Sequence, residues 1–371
     1  MRFTTRAAFA LLAASGLLGG AAHAEYPDHV INMVVPFAAG GPTDNVARSL
    51  AEAMRPSLGQ TIVVENKGGA GGTLGTAQVA RAKPDGYSIL LMHAGFSTAP
   101  SLYKNPGYEA LDGLQPIGLV VDVPMTIIAR DNFPPNNIKE LAEYVKKNKD
   151  TVSLAHAGIG AASHLCSVML NEAFGVQLLN VPYKGTAPAM NDLLGKQVDF
   201  LCDQTTNTTQ QINAKRVKAY AVTSLERVPT LPNLPTMDES GYKGFQVGIW
   251  HGMWVPKGTP QPVVDKLVKA LQAGMADPTF QERMKGLGAE VLTSEANPQA
   301  LDKMVRQQVP KWAELFKKAG GEPQYAWQQA THARARRSAW PRAAPLRRPV
   351  RLRRAPAPRS PGTLKSAPRF P

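Results

Sequence analysis

Short apolar runs alternate with longer amphipathic segments along most of the chain. The first run spans residues 30–35 and is rich in β-branched side chains, which is typical of a buried strand. Thr43 or Asp44 can then act as an N-cap, and apolar residues recur at helical spacing as far as Met54. This stretch therefore predicts a strand, a turn and a helix in that order.

The same order of strand and helix recurs through the chain. Further strands are predicted at residues 61–65, 88–92, 125–129, 151–155, 178–181, 198–201, 217–223 and 246–255. Helices are predicted at residues 74–82, 138–147, 162–173, 187–194, 205–214, 261–275, 278–285 and 298–318. Such alternation favours parallel sheets covered by helices, and a region of this length is sufficient for two domains.

The amino-terminal segment has the pattern of a secretory signal peptide. Arg2 and Arg6 precede an apolar stretch from Ala7 to Gly20, and Ala22-His23-Ala24 matches a small-x-small cleavage site. We therefore predict a signal peptide over residues 1–24, with cleavage after Ala24. The mature protein is then exported.

Residues 325–371 contain eleven Arg, one Lys, eight Pro and ten Ala but no Asp or Glu. A segment of this composition cannot bury enough apolar area to offset its chain entropy, so we expect a disordered basic tail. A shifted reading frame in GC-rich DNA is a hypothesis for its origin. Without the twelve positive charges of the tail and the two of the signal peptide, the formal charge of +14 falls to zero. A nucleic-acid or membrane-surface module would therefore depend on the tail alone.

Three glycine-rich segments lie where a predicted strand meets a predicted helix. They are Pro36–Thr43, Glu65–Thr73 and His156–His164. Such a junction presents backbone N–H groups at the positive end of a helix dipole, where an anion can bind. The other explanation for the glycines is that they only allow a tight turn between strand and helix. The second and third segments do not fit a dinucleotide fingerprint, because Leu74 and Ser163 occupy the third glycine position. The sequence predicts carboxylate binding, with no catalytic residue, metal or cofactor.

Four motifs occur in a defined order between the two ends. They are Pro36-Phe37-x-x-Gly40-Gly41-x-Thr43-Asp44-x-x-Ala47-Arg48, Glu65-Asn66-Lys67-x-Gly69-Ala70-Gly71-Gly72, Pro84-Asp85-Gly86-Tyr87 and Val181-Pro182-Tyr183-Lys184-Gly185. Together they resemble the substrate-binding proteins of tripartite tricarboxylate transporters, the Bug family, over residues 26–324. The resemblance implies an α/β, two-lobed periplasmic-binding-protein fold. Each lobe would be a mostly parallel sheet flanked by helices, with the ligand cleft between the lobes.

The resemblance also implies a domain layout and a function. Lobe 1 would comprise residues 25–130 and 246–324, and lobe 2 residues 131–245, with hinges where the chain crosses. The protein would be a monomeric periplasmic receptor that delivers a small carboxylate to a membrane permease, without a nucleic-acid partner. The implied ligand is a tricarboxylate, a dicarboxylate, an aromatic acid or an acidic amino acid. An exported hydrolase using His93, His164 or His251 is the alternative, but no nucleophile lies in an activating motif.

The resemblance places the ligand site on loops from both lobes. It implies Phe37, Gly40, Gly41, Thr43, Asp44, Gly71 and Gly72 in lobe 1, and Gly158, Gly160 and Ser163 in lobe 2. His93 and Asp203 are added because each lies at the carboxyl end of a predicted strand, the side that faces the cleft in open α/β sheets. Amides of Gly40, Gly41 and Gly160 would bind carboxylate oxygens, in part through water. Thr43 and Ser163 would add hydroxyl hydrogen bonds, and Phe37 an apolar wall.

Some of these residues have a second interpretation. Asp44 is a candidate helix cap, and His93 a candidate packing residue. His164 is expected to pack within an apolar helix. Asp203, near the helix start at Thr205–Asn207, is expected either to belong to an N-cap cluster or to contact a polar or amino group of the ligand.

Cys166 and Cys202 are the only cysteines in the chain. An oxidising compartment permits a disulfide between them. One lies in a predicted helix and the other in a predicted strand, so the sequence leaves the pairing open.

Overall fold

A computed structural model describes residues 25–318. The predicted signal peptide and the predicted tail from residue 325 lie outside these residues. The strands in the described region are β1 (Ile31–Val35), β2 (Ile62–Asn66), β3 (Ser88–His93), β4 (Leu114–Arg130), β5 (Ser153–His156), β6 (Leu179–Pro182), β7 (Phe200–Gln204), β8 (Val217–Val222), β9 (Gly248–Pro256) and β10 (Glu290–Val291). The α-helices are α1 (Pro42–Leu58), α2 (Thr73–Ala80), α3 (Gly95–Leu102), α4 (Ile138–Lys147), α5 (Ala162–Phe174), α6 (Thr186–Leu194), α7 (Thr205–Asn213), α8 (Gln261–Ala276), α9 (Pro278–Gly286) and α10 (Pro298–Lys318). Within residues 25–318, no helix has the length and apolar character needed to cross a bilayer.

The strands pair in the order β2-β1-β3-β9-β4-β7-β5-β6, and β8 and β10 also pair with β4. Strand β1 is parallel to β2 and β3, and β5 is parallel to β6 and β7. Pairing around β4 and β9 is antiparallel. The α/β class is confirmed, with parallel pairing in the two outer groups of strands and antiparallel pairing between them.

Strand β4 joins the two groups of strands. Its first part, as far as Pro124, pairs with β9, and its second part, from Met125, pairs with β7 and β8. The hydrogen-bonded ladder is therefore continuous through β4 instead of forming two separate sheets. The lobe boundaries inferred from the sequence stay a prediction.

The sequence pattern found only the second half of β4. Pro116, Gly118 and Pro124 lie within the strand, and such residues normally argue against a central strand. The structure accommodates the first two through register shifts between Pro116 and Gly118 and between Leu119 and Val121. Helix α3 was also missed, because its glycine, serine, threonine and proline residues are poor helix formers.

Helix α1 forms where the apolar spacing predicted it. Pro42 occupies the first helical position, where its missing N–H costs nothing, and Gly59 ends the helix in the left-handed conformation. Leu50 and Met54 are completely buried, and each such side chain contributes about 1.5–3 kcal/mol of transfer free energy. Helix α8 approaches this face closely, since a Cβ on Gly274 would lie 2.9 Å from the Met54 Cγ.

Parallel pairing brings the loops of the predicted ligand site together. The carboxyl ends of β1, β2 and β3 share one edge, so the loops that follow Val35, Asn66 and His93 are neighbours. The loops that follow β5, β6 and β7 are neighbours for the same reason. Ligands of open α/β folds bind at this edge of the strands.

Candidate functional site

The amino termini of four helices surround one small cavity. Its lining comprises Phe37, Pro42, Thr43, His93, Ala157, Ala162, Ser163, Thr186, Asp203 and Gln204. Pro42 and Thr43 begin α1, Ala162 and Ser163 begin α5, Thr186 begins α6, and Gln204 is the N-cap of α7. We call this space the central cavity.

None of these four helices has a side-chain hydrogen bond that caps its amino terminus. The first-turn amides of a helix have no partner within the helix, and they carry the positive end of its dipole. No Lys or Arg lines the central cavity. An anion there would therefore be stabilised by backbone groups instead of by a cationic side chain.

The central cavity has a volume of about 10 Å³, which is about the space of one water molecule. Any carboxylic acid is larger than a water molecule. In the arrangement that the structure shows, the cavity is therefore too small to enclose such an acid.

Phe37 and His93 form the apolar wall of the cavity. Their rings stack with centroids 4.6 Å apart and an angle of 18° between their planes. The Gly95 N–H donates to the His93 Nδ1 at 3.0 Å, so the proton of the neutral ring lies on Nε2. Burial and the neighbouring His251 hold the pKa of His93 well below its usual value. His93 is therefore a neutral donor in this wall.

Thr43 is held by a histidine on the neighbouring strand. His251 Nδ1 lies 3.2 Å from the Ile249 carbonyl, which can only accept, so Nδ1 carries the proton. The His251 Nε2 then accepts from the Thr43 hydroxyl at 3.2 Å. Burial lowers the pKa of His251 to about 3, which keeps the ring neutral. In this arrangement Thr43 offers a ligand its backbone N–H and an oxygen acceptor, because its hydroxyl proton is directed to His251.

Ser163 keeps its hydroxyl proton for the cavity. The Ser163 Oγ accepts from the Ala157 N–H at 2.8 Å, and the residue is almost completely buried. A hydroxyl oxygen that accepts one hydrogen bond can still donate its own proton. Its role as a side-chain donor to the ligand stays a prediction.

Asp203 places a carboxyl group in the same cavity. It is 1% exposed, and its Oδ2 accepts from the Asn207 Nδ2 at 2.6 Å. Burial raises the pKa of Asp203 to about 6. The Thr186 hydroxyl faces this carboxyl without the geometry of a regular hydrogen bond. Among residues 25–318, Asp203 has no cationic partner, so it can either be protonated or meet a cationic group of a ligand.

Asp44 and Gly40 lie outside the central cavity. The Asp44 carboxylate accepts from the Gly40 N–H at 2.8 Å, from Arg48 Nε at 2.9 Å and from Asn66 Nδ2 at 2.9 Å. Burial opposes its charge, but these hydrogen bonds from Arg48, Gly40 and Asn66 lower the pKa of Asp44. Asp44 therefore fixes the loop before α1, and the Gly40 amide is occupied by that carboxylate instead of facing the cavity.

The other glycines of the predicted site act in close packing. A Cβ on Gly71 would lie 1.8 Å from the Ile159 carbonyl oxygen, and one on Gly158 would lie 2.9 Å from the Gly71 nitrogen. A Cβ on Gly72 would lie 3.0 Å from the Phe37 ring. These glycines allow the loop after β2 to touch the loop after β5.

The amides of the two glycines in the third glycine-rich loop already have partners. The Gly160 N–H donates to His164 Nδ1 at 3.2 Å, and the Gly158 N–H donates to His156 Nδ1 at 3.1 Å. Burial lowers the pKa of His164 to about 3 and that of His156 to about 4. Gly41 is buried and is the N-cap residue of α1, with an extended backbone. A Cβ added to Gly41 would lie no closer than 3.4 Å to another residue's atoms.

Direct hydrogen bonds join the two predicted lobes around the cavity. The Ala38 N–H donates to the Lys184 carbonyl at 3.0 Å. The hydroxyls of Thr98 and Tyr103 donate to the carbonyls of Gly160 and Ile159, each at 2.8 Å. The structure therefore has the two sides of the site in contact.

A disulfide joins Cys166 of α5 to Cys202 of β7. Both residues are completely buried. Cys166 lies one turn after Ser163, and Cys202 precedes Asp203. The bond thus ties together the two elements that carry these cavity residues and resolves the pairing that the sequence left open.

Sequence reasoning missed Thr186, Gln204 and the role of His251. Thr186 and Gln204 sit at helix starts without a glycine-rich motif of the predicted type, although Gly185 in the fourth motif precedes Thr186. His251 could be placed beside His93 only through the antiparallel register of β3 and β9.

Within residues 25–318, no cluster of three His, Cys, Asp or Glu side chains could hold a metal.

Two larger cavities lie elsewhere in the described region. One of about 550 Å³ is lined by charges of both signs, Asp122, Glu226 and Glu290 together with Arg227 and Lys285. The other, of about 490 Å³, adjoins Asn207. The central cavity is smaller than both, but it alone among the three collects four helix amino termini.

The chain is similar to a known protein family, to a described relative and to solved structures. The family model for the tripartite tricarboxylate transporter family receptor matches residues 46–320. A protein from Agrobacterium vitis, described as the UPF0065 protein in the TAR-I ttuE-ttuC' intergenic region, is 46% identical over 296 residues, covering 80% of this chain and 86% of that protein. The solved structure of the periplasmic binding protein BugD is 82% identical, with a TM-score of 0.79, and covers 80% of this chain and 99% of that chain. MatC from Rhodopseudomonas palustris, solved with bound malate, is 38% identical, with a TM-score of 0.76, and covers 78% and 99% of the two chains.

Proposed function

Because the chain belongs to the tripartite tricarboxylate transporter receptor family, we propose that its central cavity binds one small carboxylate for delivery to a membrane permease. The family and its structural neighbours are periplasmic solute-binding proteins, so the predicted receptor class is confirmed. The hydrolase alternative has no support. The observation that carries the proposed site is the convergence of four uncapped helix amino termini on a cavity without Lys or Arg.

The proposed ligand is a dicarboxylate or a related acid. MatC was solved with malate, which supports a small ligand with two carboxylates. One carboxylate would accept from the first-turn amides of α1 and α5 and from the Ser163 hydroxyl. Phe37 and His93 would pack against the carbon chain. Backbone amides bind any carboxylate, so the side chains around the cavity would determine which acid binds.

Motion and partners belong to the same proposal. The lobes would comprise residues 25–130 with 246–324, and residues 131–245, and they would separate to admit the acid and close over it. Strand β4 near Met125 and the segment of residues 244–254, which leads into β9, are the proposed hinges, since the chain crosses between the two strand groups there. We also propose that the mature receptor begins at Glu25, is a monomer and docks on permease subunits in the closed state.

Ser163→Ala is expected to weaken carboxylate binding by about 0.5–1.5 kcal/mol, the usual net value of one hydrogen bond. The physical reason is the loss of a cavity hydroxyl that accepts from the Ala157 N–H and can still donate its proton to the ligand. Isothermal titration with the preferred acid measures this change. Lys67→Gln is the control, because Lys67 pairs with Glu65 at 2.9 Å and does not line the cavity. If Lys67→Gln abolishes binding and Ser163→Ala does not affect it, a side-chain cation holds the acid and the proposal is wrong.

Asp203 favours an acidic amino acid as a second candidate ligand. A buried carboxylate is stabilised by an ammonium group, whereas a ligand without an amino group would require Asp203 to be protonated. Asp203→Asn should therefore weaken binding of an amino acid and preserve or strengthen binding of the matching dicarboxylate. Titration of aspartate and succinate into both proteins separates the two ligand classes.

The Asp203→Asn substitution is also expected to change the stability of the protein in a pH-dependent way. The pKa of Asp203 is about 6 when folded against a usual value of 3.8, so its ionisation costs the folded state free energy. This penalty is absent below about pH 4, grows between pH 4 and 6, and is constant above pH 6, where it is roughly 3 kcal/mol. Asp203→Asn is thus expected to stabilise the ligand-free protein at pH 7.5 but not at pH 4, as measured by urea unfolding. An equal effect at both pH values contradicts the assignment.

A further inference from the structure

A second polar cavity lies beside the central one, between α1, α7 and α9. Its lining comprises Gly40, Asn45, Thr206, Asn207, Gln210, Gln211, Arg283, Gly286 and Leu287, and its volume is about 490 Å³. We call it the seam cavity, because α7 belongs to predicted lobe 2 and the other lining residues to predicted lobe 1. Asn207 of this lining donates to Asp203 of the central cavity, so one hydrogen bond connects the two linings.

The charge of the seam cavity favours an anion. Arg283 is its only charged lining residue. Among residues 25–318, Arg283 takes part in no ion pair. A guanidinium group presents several donors in a fixed planar arrangement, which matches the oxygens of carboxylates and similar anions. The side-chain amide of Gln210 can supply a further donor.

Two buried polar atoms in the lining lack partners within the described region. The Thr206 hydroxyl belongs to a residue that is only 2% exposed, and the Gln211 Oε1 is also buried. A buried hydroxyl without a hydrogen bond costs about 1–3 kcal/mol. An oxyanion in the cavity would remove this cost at Thr206 by accepting a hydrogen bond from its hydroxyl. Gln211 can turn its amide by 180° to present its NH₂ group.

Hydrogen bonds across the seam frame this cavity. The Asn45 Nδ2 donates to the Thr206 carbonyl at 3.0 Å. The Thr205 hydroxyl donates to the Gly288 carbonyl at 3.0 Å, and the Thr209 hydroxyl to the Leu287 carbonyl at 3.2 Å. A ligand in the seam cavity therefore contacts both predicted lobes where they touch.

We propose that the seam cavity is a second binding site, distinct from the central cavity, for a small oxyanion. Arg283 supplies the charge, and Thr206 supplies a buried donor. The shared chemistry fits a carboxylate or a tetrahedral anion such as sulfate. Because the site spans the seam, its ligand would favour the closed arrangement.

Thermal unfolding of the mature protein in sodium sulfate tests this site, with sodium chloride at equal ionic strength as the reference. Sulfate also stabilises proteins generally by exclusion from their surface, but that effect does not saturate and does not depend on one side chain. We expect a saturable rise in Tm in the wild type. Arg283→Gln should raise the half-saturating sulfate concentration at least about tenfold, because a charge-assisted hydrogen bond is lost.

Lys285→Gln is the matched control. Lys285 lies two residues further along the same helix end, is exposed and does not line the seam cavity, but its substitution removes the same charge. It should retain the wild-type sulfate response. Thr206→Val removes the unpartnered hydroxyl with little change of shape, so it should also weaken the sulfate response while leaving the fold intact. Equal responses of wild type, Arg283→Gln and Lys285→Gln would overturn the proposal.

A parallel series with sodium acetate distinguishes the two anion classes. A response to acetate that depends on Arg283 identifies a carboxylate site, and a response to sulfate alone identifies a site for tetrahedral anions. The central cavity is tested separately, because Arg283 does not line it. Arg283→Gln should still bind the preferred carboxylic acid of the central cavity.

Discussion

Gly71→Ala is expected to weaken ligand binding at least about 100-fold, which corresponds to about 2.7 kcal/mol. A Cβ at this position would lie 1.8 Å from the Ile159 carbonyl oxygen, a distance that no packing adjustment of side chains can relieve. Gly71 and Ile159 belong to opposite predicted lobes. The added methyl group should therefore hold the lobes apart while each keeps its own core, so a ligand would reach only part of its donors.

Gly59→Ala is the matched control for this substitution. Gly59 and Gly71 have similar backbone angles, with φ of 70° and 61°, so both substitutions carry a similar left-handed strain of about 1–2 kcal/mol. A Cβ on Gly59 meets no atom within 4 Å. Isothermal titration should therefore show near wild-type affinity for Gly59→Ala. Small-angle scattering should show ligand-induced compaction in Gly59→Ala and none in Gly71→Ala. If both variants bind alike, closure at Gly71 is not part of binding.

Replacing both cysteines with alanine is expected to cost roughly 3–4 kcal/mol of unfolding free energy. The disulfide spans 36 residues, and a cross-link of this span removes chain entropy of that size from the unfolded state. Urea unfolding of the Cys166→Ala/Cys202→Ala variant measures the loss. The wild type unfolded in the presence of a reductant should approach the variant, and the variant should not respond to the reductant.

The disulfide variant should also bind the acid more weakly. The bond connects α5, which carries Ser163, to β7, which leads to Asp203. Without it, these two cavity residues depend on ordinary packing for their spacing. Unfolding curves that are identical with and without the cysteines would show that the cross-link does not form in solution.

Elements with a clear apolar period were predictable. Helix α1 follows from the spacing of Val46, Leu50 and Met54, and all three are completely buried. Strand β4 was only half predicted, because Pro116 and Gly118 are strand breakers that the structure accommodates with bulges. The local sequence does not show that neighbouring strands will form the bulges that let these residues remain in a strand.

Some residues of the candidate site were also predictable from the sequence, and others were not. Phe37, Thr43, Ser163, His93 and Asp203 follow motifs or strand ends, and the structure brings them to one cavity. The sequence could not show that Asp44 binds the Gly40 amide or that His164 binds the Gly160 amide, because both depend on side-chain orientation within a folded loop. Thr186 and Gln204 could not be found without knowing that α6 and α7 begin beside α1 and α5.

In the proposed function, the central cavity binds a carboxylate through helix amino termini. A thermal-shift screen of small carboxylic acids, each paired with its neutral primary amide, tests it most directly. At 100 times its dissociation constant, a ligand adds about 2.7 kcal/mol to the stability of the folded state. We predict that at least one acid produces a saturable rise in Tm, that its amide does not, and that Gly71→Ala loses the response. If no acid raises the Tm, or if the neutral amides act as well as the acids, the account is contradicted.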